Sequence, residues 1–93
     1  MQFEWDRGKG DRNLKKHSVS FEEARTAFRD PLARIFDDEA HSTEELREII
    51  IGHSVLNRLI LVWFTERKDS IRILSARRAT PREKKDYEET ATI

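Results

Sequence analysis

The sequence contains no cysteine and little glycine or proline, with three glycines and two prolines among 93 residues. Without thiols, a disulfide framework, a thiolate metal site and a cysteine nucleophile are all excluded. No apolar run approaches the roughly 20 residues that a membrane-spanning helix needs, and residues 1–6 lack the basic and apolar regions of a signal peptide. We therefore expect a single domain over residues 1–93, held together by packing alone and located in the cytoplasm.

An excess of either charge is also missing, because 18 basic and 18 acidic residues cancel. A protein that coats nucleic acid is expected to be strongly basic, so the net charge does not support that class. The two signs are nevertheless separated along the chain, with an acidic middle and a basic C-terminal third. The basic residues of that third include Arg72, Arg77, Arg78, Arg82, Lys84 and Lys85.

The first part of the chain predicts a strand followed by two helices. Residues 2–6 alternate between apolar and polar side chains, as in a half-buried strand, and two glycines then interrupt the pattern. Residues 11–17 carry one apolar side chain and predict a short, mostly solvated helix. Ser20 begins a capping box, in which Glu23 reaches back to the helix start, and predicts a helix over 20–29.

The middle of the chain predicts antiparallel strands. Residues 32–36 favour a strand that ends in an acidic loop over 37–45. The apolar runs 49–51 and 59–64 are separated by turn residues and predict a hairpin, which 71–74 extends into a meander.

The last helix is predicted by a second capping box with proline at the first helical position, Thr80-Pro81-Arg82-Glu83, and runs to about Glu89. The predicted fold class is therefore α+β. It comprises an N-terminal strand and two helices, an antiparallel sheet of about four strands and a C-terminal helix, with the helices on one face of the sheet.

Many separated blocks along the chain resemble one known family, the BrnT toxins. The blocks are Phe3-Glu4-Trp5-Asp6, Lys9, Asn13, Lys16-His17, Val19-Ser20-Phe21-Glu22-Glu23-Ala24, Asp30-Pro31, Arg47, Ile51-Gly52, Thr65-Glu66-Arg67, Ile71-Arg72-Ile73, Ser75-Ala76-Arg77-Arg78-Ala79-Thr80, and Glu83 to Tyr87-Glu88. They occur in the family's order and span nearly the whole chain. One departure is Leu46, where the family often carries Glu.

The resemblance implies a RelE-like fold and a ribonuclease that needs no metal or other cofactor. Such a protein is the toxic half of a bacterial type II toxin-antitoxin pair, and it inhibits translation by cutting RNA. The implied partners are the RNA substrate and a BrnA-like antitoxin with a ribbon-helix-helix DNA-binding segment. Promoter DNA would be bound only through the toxin-antitoxin complex, and no membrane partner is expected.

Three residues are predicted to be catalytic. Cutting RNA without a metal needs a base for the 2′-hydroxyl proton and cations beside the phosphorane. His17 can exchange a proton near neutral pH, although it could instead cap the C-terminus of its helix. Arg72 and Arg78 would supply the positive charge, because an extended chain would place both on one sheet face and Arg77 on the other. The alternative is that these arginines pair with the acidic middle segment.

Five further residues are predicted to bind RNA, namely Lys9, Asn13, Lys16, Arg47 and Arg77. The first three share one face of a helix, which could also be an ordinary solvated face. His41 in the acidic loop and His53 in a turn are weaker acid–base candidates. No metal site is expected, because the loop around His41 lacks the fixed ligand geometry that a specific site needs.

A function of a different class would use the same basic residues. The chain could be a non-catalytic module that binds nucleic acid or protein through the C-terminal arginine cluster. An RNA cleavage assay separates the two hypotheses, because both proteins bind but only a ribonuclease produces cut ends.

Overall fold

The structure, a computed structural model, describes residues 1–41 and 45–91. Part of the acidic loop predicted over 37–45, with the side chain of His41, falls outside the described residues. From the N-terminus, the strands and helices are β1 Gln2–Glu4, α1 Arg7–His17, α2 Phe21–Thr26, β2 Arg34–Asp37, β3 Glu48–His53, β4 Leu59–Arg67, β5 Ser70–Arg78 and α3 Pro81–Ala91. Short 3₁₀ turns at Ala27–Arg29 and Glu39–His41 complete the order.

The predicted α+β class is confirmed, and the strands form a five-stranded sheet in the order β1-β5-β4-β3-β2. Strands β2 to β5 form the predicted antiparallel meander. The N-terminal strand joins the same sheet at its other edge and runs parallel to β5, with Gln2 beside Ser70 and Glu4 beside Arg72. The sheet is therefore mixed. β1 and β2 are its two edge strands.

Helix α1 is longer than the predicted 11–17 segment because it begins at Arg7 and includes two glycines. Asp6 caps it, since its carboxylate accepts a hydrogen bond from the Lys9 backbone N–H at 2.9 Å. This hydrogen bond is the main reason that the pKa of Asp6 lies below its ordinary value. At Gly10, a Cβ atom would meet the Phe21 ring at 3.4 Å, so the glycine lets α1 lie close to α2.

The helices lie on both faces of the sheet, so the prediction that they share one face is wrong. Strands β3 and β4 carry uninterrupted apolar residues, which present apolar side chains to both sides of a sheet. We call the two sides the α1–α2 face and the α3 face. The core of the α1–α2 face contains Val19, Phe21, Ala24, Ala27, Ile50, Ile60, Val62, Phe64, Ile71, Ile73 and Ala76. The core of the α3 face contains Ile49, Ile51, Leu59, Leu61 and Tyr87.

The length and apolar content of a helix determine whether it could cross a bilayer. Within residues 1–41 and 45–91, no helix is long and apolar enough to cross a bilayer.

Candidate functional site

A bulge in β5 determines where the arginines of that strand point. The pairing register between β4 and β5 shifts between Trp63 and Phe64, which leaves Leu74 as an extra residue in β5. Because side chains alternate along a strand, one extra residue reverses the alternation beyond it. Even-numbered residues of β5 therefore point to one face of the sheet before Leu74 and to the other face after it.

The arginines of β5 are consequently divided between the two faces. Arg72 lies between two residues of the α1–α2 core and so points to the α3 face. Arg77 pairs with Leu61 and also lies on the α3 face, whereas Arg78 pairs with Ile60 and lies on the α1–α2 face. The prediction that Arg72 and Arg78 share a face is wrong, because it assumed a regular strand.

The C-terminal end of α1 lies at the same corner of the molecule as Arg78. Arg58, in the turn before β4, donates from Nη2 to the backbone oxygen of Ser18 at 2.9 Å, and Ser18 directly follows His17. Arg58 also lies two residues before Ile60, the cross-strand partner of Arg78. We call this arrangement the His17–Arg78 corner. It places the end of α1, which carries His17, and the strand position of Arg78 around the same Arg58–Glu23 pair.

The ring of His17 is not needed to end its helix. Ser18 adopts a left-handed conformation with φ of 59°, and its N–H donates to the Leu14 carbonyl at 2.9 Å. The His17 side chain is half-buried, and in the described ranges its imidazole forms no hydrogen bond or ion pair. Both ring nitrogens therefore remain available for a ligand.

The buried carboxylate of Glu23 binds Arg58, the residue that links the two parts of the His17–Arg78 corner. Its side chain is 5% exposed and pairs with the guanidinium of Arg58, whose Nε donates at 2.9 Å, while the Ser54 hydroxyl donates at 2.6 Å. Burial alone would raise the pKa of Glu23, but the hydrogen bonds from Arg58 and Ser54 hold the pKa below its ordinary value. The positive charge of Arg78 lowers it further.

The network around Glu23 was not found from the sequence. The capping box correctly predicted that Ser20 accepts from the Glu23 N–H, at 2.9 Å. The Glu23 carboxylate does not reach back to the helix start as predicted, because Arg58 and Ser54 bind it instead. The residues around Arg58 do not indicate its role, because it lies in a turn and binds a carboxylate 35 positions away.

Arg77 is engaged within the protein. Nη1 and Nη2 donate to the two Glu83 carboxylate oxygens at 2.7 and 2.9 Å, and the guanidinium lies 5.3 Å from the centre of the Trp63 ring. The hydrogen bond from Arg77 is the main reason that the pKa of Glu83 falls to about 2. Glu83 also completes a reciprocal capping box, accepting from the Thr80 N–H at 2.9 Å. The predicted role of Arg77 in RNA binding therefore competes with a structural ion pair.

Asn13 is a structural residue rather than an exposed RNA contact. It is 7% exposed, and its Nδ2 donates to the backbone oxygens of Val19 and Ala76, both at 2.8 Å. Its Oδ1 accepts from the Ala76 N–H at 3.1 Å and from the Ser75 hydroxyl at 3.4 Å. Because these contacts use the whole hydrogen-bonding capacity of the amide, none is left for RNA. The sequence pattern placed Asn13 correctly in a helix but not on its exposed face.

The remaining predicted residues lie apart from one another. Lys9 and Lys16 are exposed on α1, and Lys16 directly precedes His17 at the corner. Arg47 is exposed just before β3, at the end of the sheet opposite Arg78. The predicted cationic set is therefore not one continuous surface, which weakens the alternative of a module that binds through a single arginine cluster.

A second histidine lies on the α3 face, near α3. The backbone N–H of His53 donates to Asp30 Oδ2 at 2.7 Å, and the Nδ1 of this histidine is 3.3 Å from the same oxygen. Its ring also packs edge-on against the Tyr87 ring, with the ring centres 5.7 Å apart. Burial alone would raise the pKa of Asp30, but the hydrogen bonds from His53 and Leu32 keep it low. These contacts anchor the end of β3 to the loop before β2.

Comparison with known proteins decides the family. The family described as ribonuclease toxin, BrnT, of type II toxin-antitoxin systems matches residues 5–83. The chain belongs to the BrnT family. It is thus a ribonuclease toxin of a type II toxin-antitoxin system, with RNA as its target and an antitoxin as its partner.

A solved BrnT structure has the same fold. The crystal structure of the Brucella abortus ribonuclease toxin BrnT, at 1.1 Å resolution, matches with a TM-score of 0.66. The match covers 86% of this chain and 97% of that chain at 23% sequence identity, a level at which the likeness shows the fold. No curated protein matches the chain.

Proposed function

We propose that the protein cleaves RNA at the His17–Arg78 corner without a metal ion, and that this cleavage inhibits translation in the cytoplasm. Residues 1–93 act as one domain. The proposal is supported by a half-buried imidazole on a helix end that Arg58 ties to β4, the strand that pairs with the exposed Arg78. Arg58 and Glu23 fix this position from inside the protein.

His17 acts as the general base in this mechanism. It takes the proton from the 2′-hydroxyl, so that the O2′–P bond forms while the P–O5′ bond breaks. Water at the open corner protonates the leaving 5′-oxygen. Arg78 binds the phosphate oxygens, where negative charge increases in the transition state. The products are a 2′,3′-cyclic phosphate and a 5′-hydroxyl.

The other basic residues bind the RNA strand. Lys16 adjoins His17 and meets the phosphate next to the one that is cut, and Lys9 extends the contact along α1. Arg72 and Arg47 lie away from the His17–Arg78 corner. We therefore assign both to RNA binding, and Arg72 is no longer proposed to be catalytic. Arg77 contributes positive potential while it remains bound to Glu83.

The antitoxin is proposed to be a BrnA-like protein with a ribbon-helix-helix segment. The motifs that relate the chain to the BrnT family support this assignment, since a toxin of a type II pair needs a protein that neutralises it. Promoter DNA is bound through the antitoxin in the joint complex.

Single-turnover cleavage of a fluorescent RNA, measured beside a binding titration, tests the site. His17→Ala removes the base, and general base catalysis contributes about 10²–10⁴-fold, so the rate falls by that order while RNA affinity changes little. His53→Ala is the matched control, because His53 lies on the α3 face. A chelator should leave the parent rate unchanged, and mass spectrometry should find cyclic phosphate ends.

Three results would contradict the proposal. A loss of cleavage in His53→Ala with activity retained in His17→Ala would move the site to the α3 face. Equal losses of rate and affinity in His17→Ala would make His17 a binding residue. Inhibition by the chelator would reject the metal-free mechanism.

A further inference from the structure

Strand β2 is an edge of the sheet with exposed apolar side chains. It pairs with β3 on one side, and its other side has no neighbouring strand within the described chain. Ile35 is 53% exposed and Phe36 is 47% exposed. Edge strands of monomeric proteins are usually protected by charge, proline or a covering segment, because their free backbone groups pair readily with another strand. β2 therefore has the properties of a docking edge.

Each face of the sheet has a recess next to this edge that is lined in part by apolar side chains. On the α1–α2 face, Ile35 borders a recess of about 260 Å³ whose lining includes Ile50 and Phe64. On the α3 face, Phe36 borders a groove of about 280 Å³ whose lining includes Ile51, Leu61 and Tyr87. Because successive side chains of an added strand point to opposite faces, one strand could fill both recesses with neighbouring residues.

Three carboxylates lie together at the C-terminal end of the edge. Asp37 is directly opposite Glu48 in the β2–β3 pairing. Burial raises the pKa of Glu48, and the negative charges of Glu66 and Asp37 raise it further. No lysine or arginine of the described residues forms an ion pair with any of the three. Like charges directly across a strand pair are destabilising, so a cation from another chain would relieve this repulsion.

We propose that β2 pairs with an extended segment of the antitoxin, which adds a sixth strand to the sheet. The segment carries two neighbouring apolar residues, one beside Ile35 and one beside Phe36. It also carries a lysine or arginine that lies beside Asp37. This inference rests on the antitoxin partner of the BrnT family and does not depend on which residues are catalytic. It places the antitoxin contact away from the His17–Arg78 corner.

The charges favour the antitoxin over a second copy of this chain as the occupant. The sequence of β2 is Arg-Ile-Phe-Asp, so a second β2 would bring one cation, Arg34. That guanidinium already lies 5.2 Å from the centre of the Tyr87 ring of its own chain. A parallel second copy would place its carboxylates beside the first set, which adds repulsion.

The test compares variants at β2 with matched variants elsewhere. Phe36→Arg places a long charged side chain in the groove, and Asp37→Lys repels the expected cation. Val55→Arg and Leu56→Arg are the controls, because these residues are 72% and 62% exposed and lie in the turn between β3 and β4. The probe is the purified product of the reading frame adjoining this gene, and its dissociation constant and its inhibition of RNA cleavage are measured with each variant.

We expect Phe36→Arg and Asp37→Lys each to weaken binding by about 100-fold or more, with cleavage in the absence of the probe unchanged. The controls should bind within about three-fold of the parent. Hydrogen exchange of the unmodified complex gives a second measurement, in which the β2 amides become protected upon binding. This second measurement does not require any variant to fold.

The outcomes separate this inference from the proposed function. Parent-like binding by both β2 variants, or β2 amides that exchange equally with and without the probe, would overturn the docking edge while leaving the toxin assignment intact. A probe that neither binds nor inhibits the parent would overturn both. A dimer of the chain alone, seen by light scattering and lost in Phe36→Arg, would replace the antitoxin with a second copy.

Discussion

Arg72 and Arg78 point to opposite faces of one strand, because the bulge at Leu74 lies between them. The sheet therefore lies between the two guanidinium groups. They cannot contact the same phosphate. We therefore propose a division of roles, in which Arg78 meets the reacting phosphate and Arg72 meets RNA elsewhere.

Substitution of the two arginines should accordingly have different effects. Arg78→Ala should lower the single-turnover cleavage rate by about 10²–10³-fold, the size seen when one group that stabilises the transition state is removed. Arg72→Ala should mainly weaken RNA binding and its salt dependence. Both proteins should keep the parent melting temperature. Equal rate losses in the two variants would contradict the division.

Asn13→Ala should destabilise the protein without changing the chemistry of the corner. The substitution leaves buried backbone groups of Val19 and Ala76 without partners, and unsatisfied groups of this kind cost about 1–3 kcal/mol each. Leu14→Ala is the control on the same helix, because Leu14 is 49% exposed. Urea unfolding measures the difference. A variant as stable as the parent but weakened in RNA binding would restore Asn13 as an RNA contact.

Glu83→Gln should remove a stabilisation that depends on pH. The pKa of Glu83 is about 2 in the folded protein and 4.5 as its reference value, so the ionised group stabilises the fold above about pH 4.5 and loses this effect as the pH falls towards 2. We expect a parent advantage of about 1–2 kcal/mol at pH 7 after allowing for solvent screening of this partly exposed pair. The advantage should shrink between pH 5 and about 2.

Unfolding of both proteins across that pH range provides the measurement for Glu83. Glu88→Gln is the matched control on the exposed surface of α3. A parent advantage that stays constant down to pH 2 would show that the Arg77 pair does not set the stability of this region.

Arg58→Ala should destabilise the protein by about 3–5 kcal/mol, because it leaves the buried Glu23 carboxylate without its charged partner. Glu23→Gln in the same background should recover part of this loss, since the charge is then removed. Arg67→Ala is the comparison, because its ion pairs at 3.6 and 3.7 Å are exposed and contribute about 0–1 kcal/mol. Equal effects of Arg58→Ala and Arg67→Ala on thermal unfolding would argue against the Glu23 network.

Features set by neighbouring residues were the ones that the sequence predicted well. Ser20 and Thr80 each accept from an N–H three residues later, at 2.9 and 3.1 Å, so the starts of α2 and α3 were found correctly. Capping is a local interaction, and the four or five residues that create it are adjacent in the chain. The hairpin of β3 and β4 was predicted for the same reason.

Features that depend on distant contacts were missed. The bulge at Leu74 was not predicted, because the residues after it, Ser75 to Arg78, carry too few apolar side chains to show that the alternation reverses. The sequence analysis placed the helices on one face, because it did not use the uninterrupted apolar residues of β3 as a sign that both faces are buried. For the site, the family motifs led to His17 and Arg78, whereas Arg58 could be found only through its contact with Glu23.

The pairing of β1 with β5 has a consequence for synthesis of the protein on the ribosome. β1 and α1 are made before β5, their partner in the sheet, and Asn13 meets Ala76 across 63 positions. Contacts so distant in sequence form only after the intervening chain has emerged. A nascent chain that still lacks β5 therefore has no docked α1 and no His17–Arg78 corner. The nuclease can become active only after β5 has left the ribosome.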